Sequence, residues 1–294
     1  MHNTRRRRAG ATAAVLAAAA ATTFAASTGA ANAASVPTPA PAAASAHISV
    51  PASAHRATAT VRTSFHVGAP RGGHPLIAVG PHAEAAHPGL KNTEYTENWS
   101  GYAADSGTYN SVSADWTQPA ANCSATGSDT TASAFWIGID GFNSSTVEQT
   151  GSEADCNSGS PGYYAWFEAY PDPSYAYEAT VEPGDQFESS VTASGDSFEL
   201  YLYDVTQNWY GEQDVTVSGA AKSSAEVIAE APSSGGILPL TDFGTVNFSN
   251  ATANGTGFGS LSPVQIDMES SSGQLEATTS GLSGNNFSVG WDSE

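Results

Sequence analysis

The chain has 294 residues, 29 of them acidic and nine basic, for a formal net charge of −20. A surface this negative repels nucleic acid and anionic membranes, so neither is an expected partner. The length allows one large domain or two small ones.

The chain begins with processing signals. Arg5 to Arg8 form a basic run, followed by an Ala-rich, weakly apolar stretch and then Ala31-Asn32-Ala33-Ala34. Small residues at that point read as a secretory signal peptide, residues 1–33, cut after Ala33. The stretch is too short and too interrupted by Thr to span a bilayer. The expected location is extracellular, by the general secretory or the twin-arginine route.

Residues 34–92 are rich in Ala, Pro, His and Gly and lack apolar periodicity. All seven histidines precede residue 93, as do eight of the nine basic residues. Beyond residue 92 lie 28 of the 29 acidic residues and only one base, Lys222, a net of −27. A cationic segment beside an anionic domain reads as a propeptide that masks the domain at neutral pH; composition alone equally allows a disordered spacer. Histidine protonation adds positive charge and tightens such a pairing. Loss of carboxylate charge at lower pH is therefore the expected trigger, with cleavage following. Crowded carboxylates also have raised folded pKa values, so the domain is expected to be more stable near pH 4 than near pH 8.

Residues 93–294 read as an all-β domain. The period-two pattern is clear in Phe135-Trp136-Ile137-Gly138-Ile139-Asp140, with Phe135, Ile137 and Ile139 on one face and Trp136 and Asp140 on the other. Gln149-Thr150-Gly151 follows this run. Ala165 to Tyr170 repeats the pattern, with Trp166, Glu168 and Tyr170 opposite Phe167 and Ala169. Residues 198–203, 214–217, 226–230, 243–248, 264–268 and 287–291 read as further strands, with turns such as Pro183-Gly184-Asp185 between them. Many strands without helices mean a sandwich or barrel. Faces that carry Trp, Glu, Asp and Tyr away from the core suggest an open substrate groove. Two cysteines in an exported chain, Cys123 and Cys156, point to one disulfide that closes a loop of about 33 residues.

The domain's composition eliminates most hydrolytic chemistry. With no His beyond residue 92 there is no Ser-His or Cys-His pair and no HExxH zinc site. With no Arg, phosphate chemistry is not expected. Asp105-Ser106-Gly107 has the aspartic-peptidase tripeptide but occurs once where two are needed, and it reads as a hairpin turn. Two carboxylates across a groove, such as Glu168 and Glu230, would suit a glycosidase. A glutamate paired with a glutamine would suit amide hydrolysis in acid. The carboxyl can activate water and then protonate the amine, while the side-chain amide stabilises the oxyanion.

At this point the motifs resemble those of the glutamic peptidases, the eqolisins. Asn98-Trp99-Ser100-Gly101 is similar to the family's opening motif, and Trp136-Ile137-Gly138-Ile139-Asp140-Gly141 to its Trp-x-Gly-Ile-Asp-Gly strand. Gln149-Thr150-Gly151, Trp166-Phe167-Glu168-Ala169-Tyr170-Pro171 and Ala225-Glu226-Val227-Ile228-Ala229-Glu230 follow in the family order. Asp242 to Val246 and Ile266-Asp267-Met268 match late motifs.

The resemblance implies a jelly-roll-like sandwich of two bent antiparallel sheets with substrate across the concave face. It implies a monomeric proenzyme of an acid endopeptidase acting on polypeptides, without metal or cofactor. Gln149 and Glu230 would be the catalytic dyad, and Trp136, Asp140, Trp166, Glu168 and Tyr170 would line and support the site. Glu226 shares the strand parity of Glu230 about 13 Å away and is the competing carboxylate. Val227 stands where the family usually has Trp, which thins the core there. A glycan-hydrolysing or glycan-binding sandwich is the alternative reading.

Overall fold

The structure is a computed structural model that describes residues 74, 76, 78, 93–127 and 129–294. The expected signal peptide, and all of residues 34–92 except those three, lie outside the described residues. The chain divides into units Met1–Pro51 and Ala52–Glu294. Every described residue belongs to the second.

That unit is built from strands. In chain order they are β1 (Thr93–Thr96), β2 (Trp99–Ala104), β3 (Ser111–Thr117), β4 (Ala134–Ile139), β5 (Val147–Asn157), β6 (Ser160–Tyr170), β7 (Tyr175–Ala176) and β8 (Gln186–Ser194). Then follow β9 (Ser197–Asp204), β10 (Trp209–Thr216), β11 (Ala225–Glu230), β12 (Thr245–Ala253), β13 (Thr256–Gly257), β14 (Val264–Glu269), β15 (Leu275–Thr279) and β16 (Phe287–Trp291). Among the described residues, helix is limited to Cys123–Thr126 and a 3-10 turn at Phe258–Ser260.

The strands form one continuous sheet in the order β10-β9-β8-β3-β12-β16-β15-β14-β2-β11-β4-β5-β6-β7. It doubles back so that β4, β5 and β11 pack face to face on β3, β8, β9 and β12. The product is a β-sandwich, antiparallel except where β1 runs parallel to β14. The pairing of β14 with β15 carries a register shift between Met268 and Glu269.

The period-two pattern explains the layering. Phe135, Ile137, Ile139, Phe167 and Val227 point into the sandwich and meet Trp116, Phe187, Leu200, Leu202 and Phe248 from the other layer. Each such side chain, fully buried, stabilises the fold by roughly 1.5–3 kcal/mol. Val227 sits inside this core, between Tyr102 and Ile137 on the flanking strands. The Cys123–Cys156 disulfide is formed and ties the short helix to β5.

Gln149 is the third residue of the eleven-residue β5, the strand that follows the apolar run of β4. One expectation changes. Asp105-Ser106-Gly107 is not a hairpin turn. It links β2 to β3, which are not sheet neighbours and belong to opposite layers. The connection is stitched by Tyr109, whose N–H donates to Lys222 O at 2.8 Å.

Candidate active site

The outward face of β4, β5, β6 and β11 carries the candidate residues. Residues directly opposite on paired strands share a face. Gln149 stands between Gly138 and Glu168, Trp136 between Gly151 and Ile228, and Glu230 between Ala134 and Trp99. The face is closed rather than open: Trp136, Gln149, Glu168 and Glu230 are all at most 1 % exposed. Alternation reports which side of a sheet a residue takes. It does not report whether another stretch of chain covers that side.

Close packing explains the motif glycines. A Cβ on Gly151 would lie 2.3 Å from Phe135 O and 2.5 Å from Trp136 Cβ. One on Gly138 would lie 3.1 Å from the Gln149 Cβ and 3.0 Å from the Trp136 ring. The two glycines let the indole and the amide lie flat against the sheet beside Glu230.

Hydrogen bonds then fix the polar atoms. Trp136 Nε1 donates to Glu230 Oε2 at 2.7 Å. Gln149 Nε2 donates to Glu168 Oε2 at 2.8 Å. Trp99 packs edge-on against Trp136, with ring centroids 4.9 Å apart. Burial pushes the Glu230 carboxyl well above the usual range, with the neighbouring Glu168 adding to the rise and Trp136, Trp99 and Asn98 opposing it. Burial raises Glu168 to about 8, against hydrogen bonds from Gln149 and the His74 backbone. Glu226 shares a sheet row with Gly138 and Gln149 and is also raised well above its usual value by burial. Among the described residues no three His, Cys, Asp or Glu side chains converge to hold a metal ion.

What covers the site is the chain itself. His74 is 1 % exposed. Its ring lies parallel to Trp166, with centroids 3.5 Å apart and planes 4° apart. Its Nδ1 is 3.3 Å from Glu230 Oε2, and its carbonyl accepts from Gln149 Nε2 at 3.1 Å. Nε2 is buried with no hydrogen-bond partner among the described residues. Burial accordingly lowers the His74 pKa to about 3. Burial thus favours the uncharged form of both Glu230 and His74. Leu76 packs on the apolar cluster of Trp99, Trp136, Trp166 and Ile228.

Tyr170 is half-buried at the edge of the same cluster. Asp140 is elsewhere. The strand ends at Ile139, and at φ 71 Asp140 turns its carboxylate to the backbone N–H groups of Lys222 and Ser223, at 2.6 and 2.8 Å. It braces the approach to β11 and does not line the site. The sequence reading missed His74, which no periodicity marks among seven histidines. It also gave no role to Asn98, although Asn98 opens a recognised motif.

Residues 97–291 match the Peptidase A4 family. The chain is 29% identical to aspergillopepsin-2 of Aspergillus niger over 229 residues, covering 68% of this chain and 79% of the relative. Its fold is similar to the crystal structure of scytalido-glutamic peptidase with a transition state analog inhibitor. The TM-score there is 0.58 at 25% identity, over 67% of this chain and 98% of that one. It is also similar to SCP-B, a member of the eqolisin family, in complex with the tripeptide Ala-Ile-His. The TM-score is 0.52 at 25% identity, with the same two coverages. The chain thus belongs to the Peptidase A4 family and is a glutamic endopeptidase.

Proposed function

We propose that this endopeptidase works in acid through Glu230 and Gln149, and that it is exported as a proenzyme whose own segment around His74 fills the site. The observation that carries the reading is the hydrogen bond from Gln149 Nε2 to the His74 carbonyl, made beside the Glu230 carboxyl. A main-chain carbonyl thereby occupies the place a scissile carbonyl needs, and the imidazole lies against the carboxyl that would activate water. SCP-B binding a short peptide on the same fold supports a peptide ligand here.

With the segment gone, water reaches Glu230 and its raised pKa falls toward the acid range, leaving a carboxylate. Glu230 takes a proton from water as the water oxygen attacks the carbonyl carbon. Gln149 Nε2 donates to the resulting oxyanion. Glu230 then passes its proton to the amide nitrogen as the C–N bond breaks, which regenerates the carboxylate. Trp136 Nε1 orients Glu230, and Glu168 orients the Gln149 amide.

The test is casein cleavage at pH 3 to 5 by acid-activated protein, beside Glu230→Gln and Gln149→Ala. Loss of cleavage in both folded variants is expected. Retained cleavage in both would remove the dyad.

A further inference from the structure

On the reading of His74 as occupant of the scissile position, the following residues report how a substrate is held beyond the cut. Asn98 is fully buried just before β2. Its Nδ2 donates to Leu76 O at 3.2 Å, and its Oδ1 accepts from Ala78 N at 2.7 Å. The Glu97 backbone N–H donates to Ala78 O at 2.8 Å. Asn98 is itself held in place, because its own carbonyl accepts from Ala231 N at 2.8 Å, one residue past Glu230.

The span agrees with an extended peptide crossing the sheet. Gln149 on β5 and Asn98 at the start of β2 are separated by β4 and β11. Three strand spacings of ~4.8 Å make ~14 Å, which four residues of extended chain cover at ~3.4 Å each. A peptide whose carbonyl lies on Gln149 therefore delivers its second and fourth following residues to Asn98.

We propose that Asn98 is a positioning residue that grips the leaving half of the substrate. Its side-chain amide holds the carbonyl of the second residue after the cut and the N–H of the fourth, and the Glu97 N–H holds the carbonyl of the fourth. The enzyme's preferred substrates are then extended polypeptides reaching at least four residues past the scissile bond. Both side-chain contacts are to main-chain groups, so the grip works on any sequence that can stay extended.

The test uses acid-activated protein and two fluorogenic peptides with a common first half, one ending one residue after the cut and the other four residues after it. The parent is expected to cut the long peptide with kcat/KM at least tenfold higher, mostly through KM. In Asn98→Ala that ratio falls toward one, whatever happens to the short peptide through the neighbouring Glu230. Asn98→Asp, which keeps the acceptor and loses the donor, retains part of it. N-methylation of the fourth residue of the long peptide lowers its kcat/KM for the parent and leaves Asn98→Ala unaffected. This arm needs only the parent if the variants misfold.

An unchanged long-to-short ratio in the variants, or indifference of the parent to N-methylation, overturns the grip while leaving the dyad standing. Failure of the parent to cut either peptide overturns both readings.

Discussion

If His74 is a neutral plug, its protonation should open the enzyme. The imidazole titrates near 6.5 when free and at about 3 when buried between Trp166 and Glu230. The closed form thus binds fewer protons at this residue, and lowering the pH through 6.5 favours release. Between pH 6.5 and 4.5 this contribution amounts to about 50-fold, or ~2.3 kcal/mol, against closure. Glu230 faces the same ring and Glu168 faces the His74 backbone, and both act in the opposite sense, because burial under the plug raises them. His74→Phe keeps a planar ring for Trp166 but cannot titrate. The Glu contributions are present in both proteins and cancel in the comparison. The assay is the initial rate of reporter-peptide cleavage by the full chain across pH 7 to 4, with gels to confirm that the chain is still uncut. The closed-to-open ratio of the parent should fall ~50-fold relative to His74→Phe between pH 6.5 and 4.5. Parallel curves for the two proteins would refute the reasoning. The expectation that histidine protonation tightens the propeptide rests on long-range charge. At this one histidine, loss of hydration outweighs it.

Other outcomes follow from the same geometry. Trp136→Phe removes the 2.7 Å donor that lowers the Glu230 pKa. The acid limb of kcat/KM should move up by about one pH unit, and an unmoved limb would show that the bond does not act on the working base. Burial raises Glu148 and Glu168 to about 8 and Glu276 to about 7. Their stabilisation is complete below about 4.5 and is lost as pH rises through 7 and 8, so the protein, carrying Glu230→Gln to suppress self-digestion on the proposed mechanism, should melt higher at pH 4.5 than at pH 8. A higher Tm at pH 8 would contradict this. Gly151→Ala forces the Phe135–Trp136 backbone away from β5; we expect a loss of ~2 kcal/mol or more in urea unfolding, and a neutral result would mean the sheet yields more easily than its packing suggests. Cys123→Ser opens the 33-residue loop and should cost ~3–4 kcal/mol by the same method, with the variant's denaturation midpoint insensitive to reductant.

The fold was legible because alternation survives even in a strand buried on both faces: Phe135, Ile137 and Ile139 go to the sandwich core, and Trp136 goes to a second apolar cluster on the opposite face. Trp136, Trp166, Glu168, Gln149 and Glu230 were placed together by parity and motif, and the structure does bring their side chains together. Asp140 was misplaced because parity holds only while the backbone stays extended, and its positive φ ends that. The cover over the site was illegible for a different reason. His74 reaches Glu230 across 156 residues of sequence, and a single stacked ring leaves no periodic trace. Asn98 was visible as part of a motif, but its use of both ends of its amide depends on a partner chain segment that no local pattern announces.

The peptide segment crosses the sheet instead of extending it. Its contacts at Gln149, Trp166 and Asn98 come from side chains on β5 and β6 and at the start of β2, not from a strand edge. Because these three contacts are made by side chains, each can be altered singly without breaking the sheet, while the Glu97 N–H to Ala78 O bond is made by the main chain itself. Substrate reach in this scaffold is therefore open to stepwise change, by evolution or by design, one strand position at a time.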